Sequence, residues 1–145
     1  MKKTIVVTGG AGFVGSNLIE YLIKKTNSEI LSIDDYSSGK KKNHIKNKKV
    51  KYINAHTKNI SKILNPYKKK IKVIFHFGEF SRIYQSFTNY KKCFEYNIHH
   101  SSKVIEFAPI IFALFADSFL RDLIFKISVF FLDVKPVAKI KIETL

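Results

Sequence analysis

The stretch TIVVTGGAGFVGSN, residues 4–17, decides the fold. Its first five residues, Thr4 to Thr8, are all β-branched, and such a run favours a buried, pleated strand. The run breaks at Gly9, Gly10, Gly12 and Gly15, four glycines within seven positions. FVGSNLIEYLIKK, residues 13–25, then places Phe13, Val14, Leu18, Tyr21 and Leu22 at helical spacing. A second strand, EILSID at residues 29–34, ends on an acid. Strand, glycine turn, helix and strand make one βαβ unit, with parallel strands and a right-handed crossover.

Gly9, Gly12 and Gly15 stand three apart, and each has a physical task. The first permits a tight turn, the second lets backbone approach a pyrophosphate, and the third allows close packing of helix on strand. The pyrophosphate then meets unpaired N–H groups at the helix amino terminus, where the dipole favours negative charge. Glycine spacing alone is a weak signal. Here the acid also appears, because Asp34 lies 19 residues beyond Gly15, close to the roughly 20 expected of a ribose-binding carboxylate. A carboxylate accepts from an adenosine 2′-hydroxyl and repels a 2′-phosphate, which favours NAD over NADP. Lys40, Lys41 and Lys42 keep NADP as a second reading.

Further along, VKYINA (50–55) alternates as a third strand, and ISKILNPY (60–67) reads as a short helix closed by Pro66. IKVIFHF (71–77) is a continuous apolar run of the kind buried in a parallel sheet. YKKCFEYNIHHSSKVIEFA (90–108) gives another helix, with Phe94, Ile98, Val104 and Ile105 expected on or near one face. The fold class is therefore α/β, a doubly wound parallel sheet of Rossmann type. From Pro109 onward the character changes: no Gly, Asn or His occurs, and phenylalanine becomes frequent. Residues 1–108 read as the dinucleotide-binding domain and 109–145 as a Phe-rich tail of unknown fold.

Composition bounds the function. With 145 residues the chain suits a single domain, and 46% hydrophobic content excludes a disordered chain. The most apolar stretch, PIIFALFADSFLRDLIF (109–125), is interrupted by Asp117, Arg121 and Asp122, short of the roughly 18 apolar residues a membrane span needs. No signal-peptide pattern opens the chain, so a cytoplasmic location is expected. The net charge of +15 is nearly all lysine spread along the sequence. Its densest segment, GKKKNHIKNKKVK (39–51), lacks arginine and aromatic interleaving, which reads as a solvated loop and against a nucleic-acid partner. Cys93 is the single cysteine and reads as a small residue on a helix.

TGGAGFVGSNL (8–18), DDYSSGKKKN (34–43), VIFHFGEFSRIYQSF (73–87) and EYNI (95–98), in that order and spacing, resemble the extended short-chain dehydrogenase/reductase family. The likeness is to its NAD-dependent nucleotide-sugar epimerases and dehydratases, of the UDP-glucose 4-epimerase type. The resemblance implies that the glycine loop with Phe13 and Val14 holds the pyrophosphate and that Asp34 holds the adenosine ribose. Asp35 and the turn Tyr36, Ser37, Ser38 and Gly39 then pack around the adenosine end. The family's third strand ends in Gly-Asp, whose acid bonds the adenine amine. This chain has Ala55-His56 there, followed by Thr57, so His56 can serve only in the accepting tautomer. Phe77, Gly78 and Glu79 match the segment lining the cofactor past its pyrophosphate. Ser81 falls near the substrate or nicotinamide ribose. Asn97 matches the family's asparagine, although the glycine that usually follows is replaced in the His99-His100 region.

His76 ends a buried strand beside this crevice and reads as a core or supporting histidine. His99 and His100 are adjacent, not at the i, i+4 spacing of a helical metal pair, so no metal is expected. In the family the hydride chemistry belongs to a serine and a Tyr-x-x-x-Lys pair downstream of residue 108. The last tyrosine here is Tyr96, so the tail holds no such pair. A frameshifted or truncated reading frame, joined to the front of an epimerase, would give such a tail. The expected function is the NAD-binding portion of a nucleotide-sugar epimerase or dehydratase, inactive alone, with the nucleotide sugar bound only if the missing half is supplied. The alternative is a non-catalytic nucleotide-binding module that docks on a full-length partner, as a homo- or hetero-oligomer.

Overall fold

A computed structural model describes residues 2–108 and 113–115 of the chain. Strands β1 (Thr4–Thr8), β2 (Glu29–Asp34), β3 (Val50–Asn54), β4 (Ile71–His76) and β5 (Ala113–Phe115) form one sheet in the order β3-β2-β1-β4-β5. Every neighbouring pair is parallel. The chain moves outward from β1 to β3, then returns to the other side of β1, so the strand order reverses between β1 and β4. The carboxyl ends of those two strands are the place where such sheets open a crevice.

Both faces of β1 are covered, which is why its five residues are all buried. On one face Val6, Leu31, Ile33 and Ile74 pack with Ile60 and Leu64 of α2 (Ile60–Leu64). Val104, Phe107 and Ala108, at the end of the last described helix, complete that cluster. The opposite face belongs to α1 (Phe13–Lys25), whose buried stripe is Gly15, Leu18, Ile19 and Leu22. Phe13, expected on that stripe, is 81% exposed at the first turn. It precedes Gly15, the nearest stripe position, by two residues, which on a helix is a different face.

After β4 come α3 (Ile83–Thr88) and α4 (Tyr90–Phe94), a π-helical turn at Glu95–His100, and α5 (Ser101–Phe107). The face expected here is corrected by the structure. Phe94, Ile98 and Ile105 are each about half exposed, while His100, Ser101, Val104 and Phe107 are buried. The π turn adds a residue to the repeat, so a face counted through it at 3.6 residues per turn slips out of register.

The outer edge of β4 is paired by β5, drawn from beyond the composition break. Residues 109–112 and 116–145, on which the reading of the Phe-rich tail rests, lie outside the described residues.

Gly9 has φ +68, and a Cβ built on it would sit 2.5 Å from the Phe77 carbonyl oxygen. A Cβ on Gly12 meets only the Gly9 oxygen, at 3.2 Å. Gly9→Ala is expected to cost about 2 kcal/mol or more, from the left-handed backbone and the collision together. Gly12→Ala should cost less than about 1 kcal/mol. Urea unfolding of the two variants checks the contrast.

Candidate functional site

The glycine turn is held by backbone before any ligand is considered. Gly9 N–H donates to the Ile33 carbonyl at 2.8 Å, and Gly12 N–H to the Gly9 carbonyl at 3.0 Å. Gly15 lies so close over the Gly9 carbonyl that no Cβ fits between them. Helix α1 therefore starts directly above the end of β1. Its N-cap, Gly12, offers no side-chain cap, and its first turn carries no acid, while Lys24 and Lys25 occupy the last turn. The amino-terminal N–H groups and the positive dipole end are thus left to an anion from outside. The space over Gly12 is open on all sides but that of Gly9.

Asp34 ends β2 with 9% exposure. One carboxylate oxygen accepts from Ala11 N–H at 2.9 Å and the other from Tyr36 N–H at 2.8 Å. Each oxygen keeps acceptor capacity beyond these bonds, so the group can still receive ribose hydroxyls. The same loop closes over the glycine turn, with Lys40 N–H and the Asn43 amide both donating to the Ala11 carbonyl. Gly39 packs against Ala11 and Asp34. Tyr36 adopts φ 60 and shares a hydrogen bond between its hydroxyl and His44 Nε2 at 3.1 Å. The His44 ring stacks on Tyr52 at 3.8 Å between centroids. Ser37 and Ser38 are exposed.

Asp35 turns toward a second cluster. One oxygen accepts from Ser37 N–H at 2.9 Å, the other from the Tyr96 hydroxyl at 2.9 Å, with His56 Nε2 at 3.2 Å. Burial works to raise the Asp35 carboxyl, but the bonds from Ser37 and Tyr96 and the His56 ring outweigh it and hold it below its usual value. Tyr96 is pushed up to about 12 by burial and by its bond to Asp35. Because the Tyr96 proton goes to Asp35, His56 Nε2 faces two acceptors and must carry hydrogen. Its Nδ1 is buried without a partner. His56 Nε2 is thus committed to Tyr96 and Asp35, and the accepting lone pair of the ring is on Nδ1.

At the end of β4, His76 is fully buried. Its Nδ1 meets the Thr8 hydroxyl, and its Nε2 meets the Ser101 hydroxyl at 3.0 Å. Thr8 also accepts from the N–H groups of Phe77 and Gly78, each at 3.1 Å. Thr57 packs beneath Gly78. Asn97 clamps Phe80 from both sides, accepting from its N–H at 2.7 Å and donating to its carbonyl at 3.1 Å. Glu79 is half-buried and Ser81 exposed.

The structure thus gathers Gly9, Gly12, Gly15, Asp34 and Gly39 around Ala11, sets Phe77 and Gly78 against Gly9, and joins Asp35 to His56. Phe13 and Val14 stand at the first turn of α1, while Ser38 and Ser81 lie outside these clusters. Tyr96, Ser101, His100 and Thr8 were not anticipated, although Tyr96 and Thr8 sit inside the motifs that signalled the site. His100 is buried beside His56, with ring centroids 4.5 Å apart, whereas His99 is exposed. Among the described residues, no group of three or more His, Cys, Asp or Glu is arranged to hold a metal, and no helix is long and apolar enough to cross a membrane. Tyr-x-x-x-Lys spacing does occur twice before Tyr96. Tyr21 and Lys25 lie at the end of α1 away from the glycine turn, and Tyr36, of the pair with Lys40, is bonded to His44.

Burial, and then the neighbouring His100, pull His76 down to about 4. Between the ordinary histidine value and 4 the unfolded chain binds a proton that the folded chain refuses, so stability rises with pH across that window. Lowering the pH from neutral to about 4 is expected to remove on the order of 3 kcal/mol through this group. Urea unfolding at a series of pH values checks it, and His76→Phe should flatten the slope.

The family model for the NAD-dependent epimerase/dehydratase family matches residues 5–115. Among solved structures, an epimerase from Methanothermobacter thermautotrophicus aligns with TM-score 0.69 and 26% identity, covering 77% of this chain and 33% of that one. The UDP-glucose 4-epimerase of Thermus thermophilus, in complex with NAD, aligns with TM-score 0.63 and 23% identity over 72% of this chain and 33% of its own, a likeness of fold. UDP-glucuronic acid decarboxylase 1 of Arabidopsis thaliana is 54% identical over 39 residues, 27% of this chain and 9% of the relative. The chain spans about a third of the length of the solved structures it matches. Glycine turn, terminal acid and strand order agree with that match, and the chain belongs to the NAD-dependent epimerase/dehydratase family.

Proposed function

We propose that this chain binds NAD as the dinucleotide-holding part of a nucleotide-sugar epimerase or dehydratase. One observation carries the reading: the uncapped, acid-free amino terminus of α1 opens over Gly12 at the sheet's switch point, one short loop from Asp34. Backbone N–H groups of Phe13 and Val14 receive the pyrophosphate there, with Gly12 permitting its close approach, because unpaired N–H groups and the helix dipole act together on a diphosphate. Asp34 receives the adenosine ribose, its carboxylate already oriented by Ala11 and Tyr36. A 2′-phosphate at that carboxylate meets like charge in a site of low exposure, which selects NAD over NADP.

The nucleotide-sugar class comes from relatives named for UDP-sugars. Bound NAD supplies hydride acceptance and return, while this chain's residues bind and orient it. No tyrosine follows Tyr96 within these residues, so we propose that the chain holds cofactor without turning over UDP-glucose by itself. The contacts proposed for Phe77, Gly78, Glu79, Ser81 and Asn97 lie toward the nicotinamide side.

Titration calorimetry tests the reading. Saturable NAD binding is expected, weakened about tenfold or more by Gly12→Val, which fills the open space, and by Asp34→Ala. NADP should bind more weakly, and Asp34→Ala should narrow the gap. Absence of NAD binding by the folded chain would refute the proposal.

A further inference from the structure

His76 is buried, and two hydrogen-bond paths meet on it. On one side the Thr8 hydroxyl accepts from Gly78 N–H and from Phe77 N–H, the latter shared with the Thr8 carbonyl at 3.1 Å. Its single hydrogen is therefore directed to His76 Nδ1. On the other side the Ser101 hydroxyl donates to the Tyr96 carbonyl at 3.3 Å, so it accepts from His76 Nε2. The two ends independently require the same neutral tautomer, hydrogen on Nε2 and a lone pair on Nδ1.

The path ends where the glycine turn is set. The Phe77–Gly78 peptide lies where a Cβ of Gly9 would be, with the Phe77 carbonyl carbon at 2.6 Å and Gly78 N at 2.9 Å from that position. Any rotation of this peptide moves the surface on which Gly9 rests. Tyr96 lies within the π turn and Ser101 directly follows it, so the path connects that turn to the glycine loop.

We propose that His76, fixed as its Nε2–H tautomer, is a positioning residue for the cofactor loop: through Thr8 it orients the Phe77–Gly78 peptide against which Gly9 packs. The cofactor part of this inference rests on the NAD reading above. A buried ring that only fills space would make no demand on tautomer, and phenylalanine could replace it without cost to binding.

The test uses the full 145-residue chain. Long-range ¹⁵N–¹H imidazole spectra at neutral pH should show His76 protonated at Nε2 only, assigned by comparison with His76→Asn. Calorimetry with NAD follows on His76→Phe, His76→Asn, Thr8→Val and Thr8→Ser. The Phe and Val variants, which strand the relay's polar groups, should lose affinity about tenfold while remaining folded. Thr8→Ser keeps the hydroxyl, and His76→Asn keeps an acceptor near the Nδ1 position, so both should stay within about threefold of the unaltered chain. Hydrogen on Nδ1, or unchanged affinity in folded His76→Phe, overturns the proposal. If His76→Phe does not fold, Thr8→Val and the tautomer decide. If the unaltered chain binds no NAD, the cofactor reading fails separately. The relay is then judged by amide exchange at Gly78, which Thr8→Val should speed about tenfold.

Discussion

The contact between Gly9 and the Phe77–Gly78 peptide is the constraint on which the rest of the site depends. A side chain at Gly9 would be strained in backbone conformation and would collide with the carbonyl of Phe77. Since β1 and β4 are hydrogen-bonded neighbours, their carboxyl ends must leave the sheet within one van der Waals contact of each other. The turn after β1 then has one direction open to it, up and over into α1. The crevice is the space left between that turn and the loop after β2. Backbone of the glycine turn borders it on one side and the Asp34 carboxylate on the other.

Asp34 has two duties at this crevice that usually compete. A buried carboxylate is costly unless hydrogen-bonded, and Ala11 and Tyr36 meet that need from two different segments. The same bonds bind the glycine turn to the loop after β2, so the group that would receive ribose also fixes where the pyrophosphate would lie. Asp35, one residue on, turns instead to Tyr96 and His56. Neighbouring positions on an extended backbone point to opposite sides, and two adjacent acids here belong to two different clusters.

Much of this was legible in the sequence because it depends on local rules. The β-branched run before Gly9, the three-residue glycine spacing and the acid ending EILSID each report backbone geometry within a few residues of themselves. The parallel sheet followed from the same signals. What stayed hidden depends on the π turn at Glu95–His100, which gives no signature in hydrophobic periodicity. One extra residue in that turn rotates His100, Ser101 and Val104 inward and leaves Phe94, Ile98 and Ile105 outward, the reverse of most of the face counted at regular spacing. Tyr96 was missed for a related reason. Its partners Asp35 and His56 lie 61 and 40 residues away, and only the fold brings them within reach.

The π turn also accounts for how one segment serves two parts of the crevice. The Tyr96 hydroxyl reaches the ends of β2 and β3 through Asp35 and His56, while its carbonyl receives the Ser101 hydroxyl and, through His76 and Thr8, reaches the end of β4. A regular helix pairs each such carbonyl with the amide four residues on. Here the wider turn brings Ser101, five residues on, to the Tyr96 carbonyl. Residue 97, next in the chain, holds Phe80 by both backbone groups. Three consecutive strand ends are therefore referred to a single turn of helix. A ligand lying across these strand ends would need them fixed relative to one another, and these hydrogen bonds fix them.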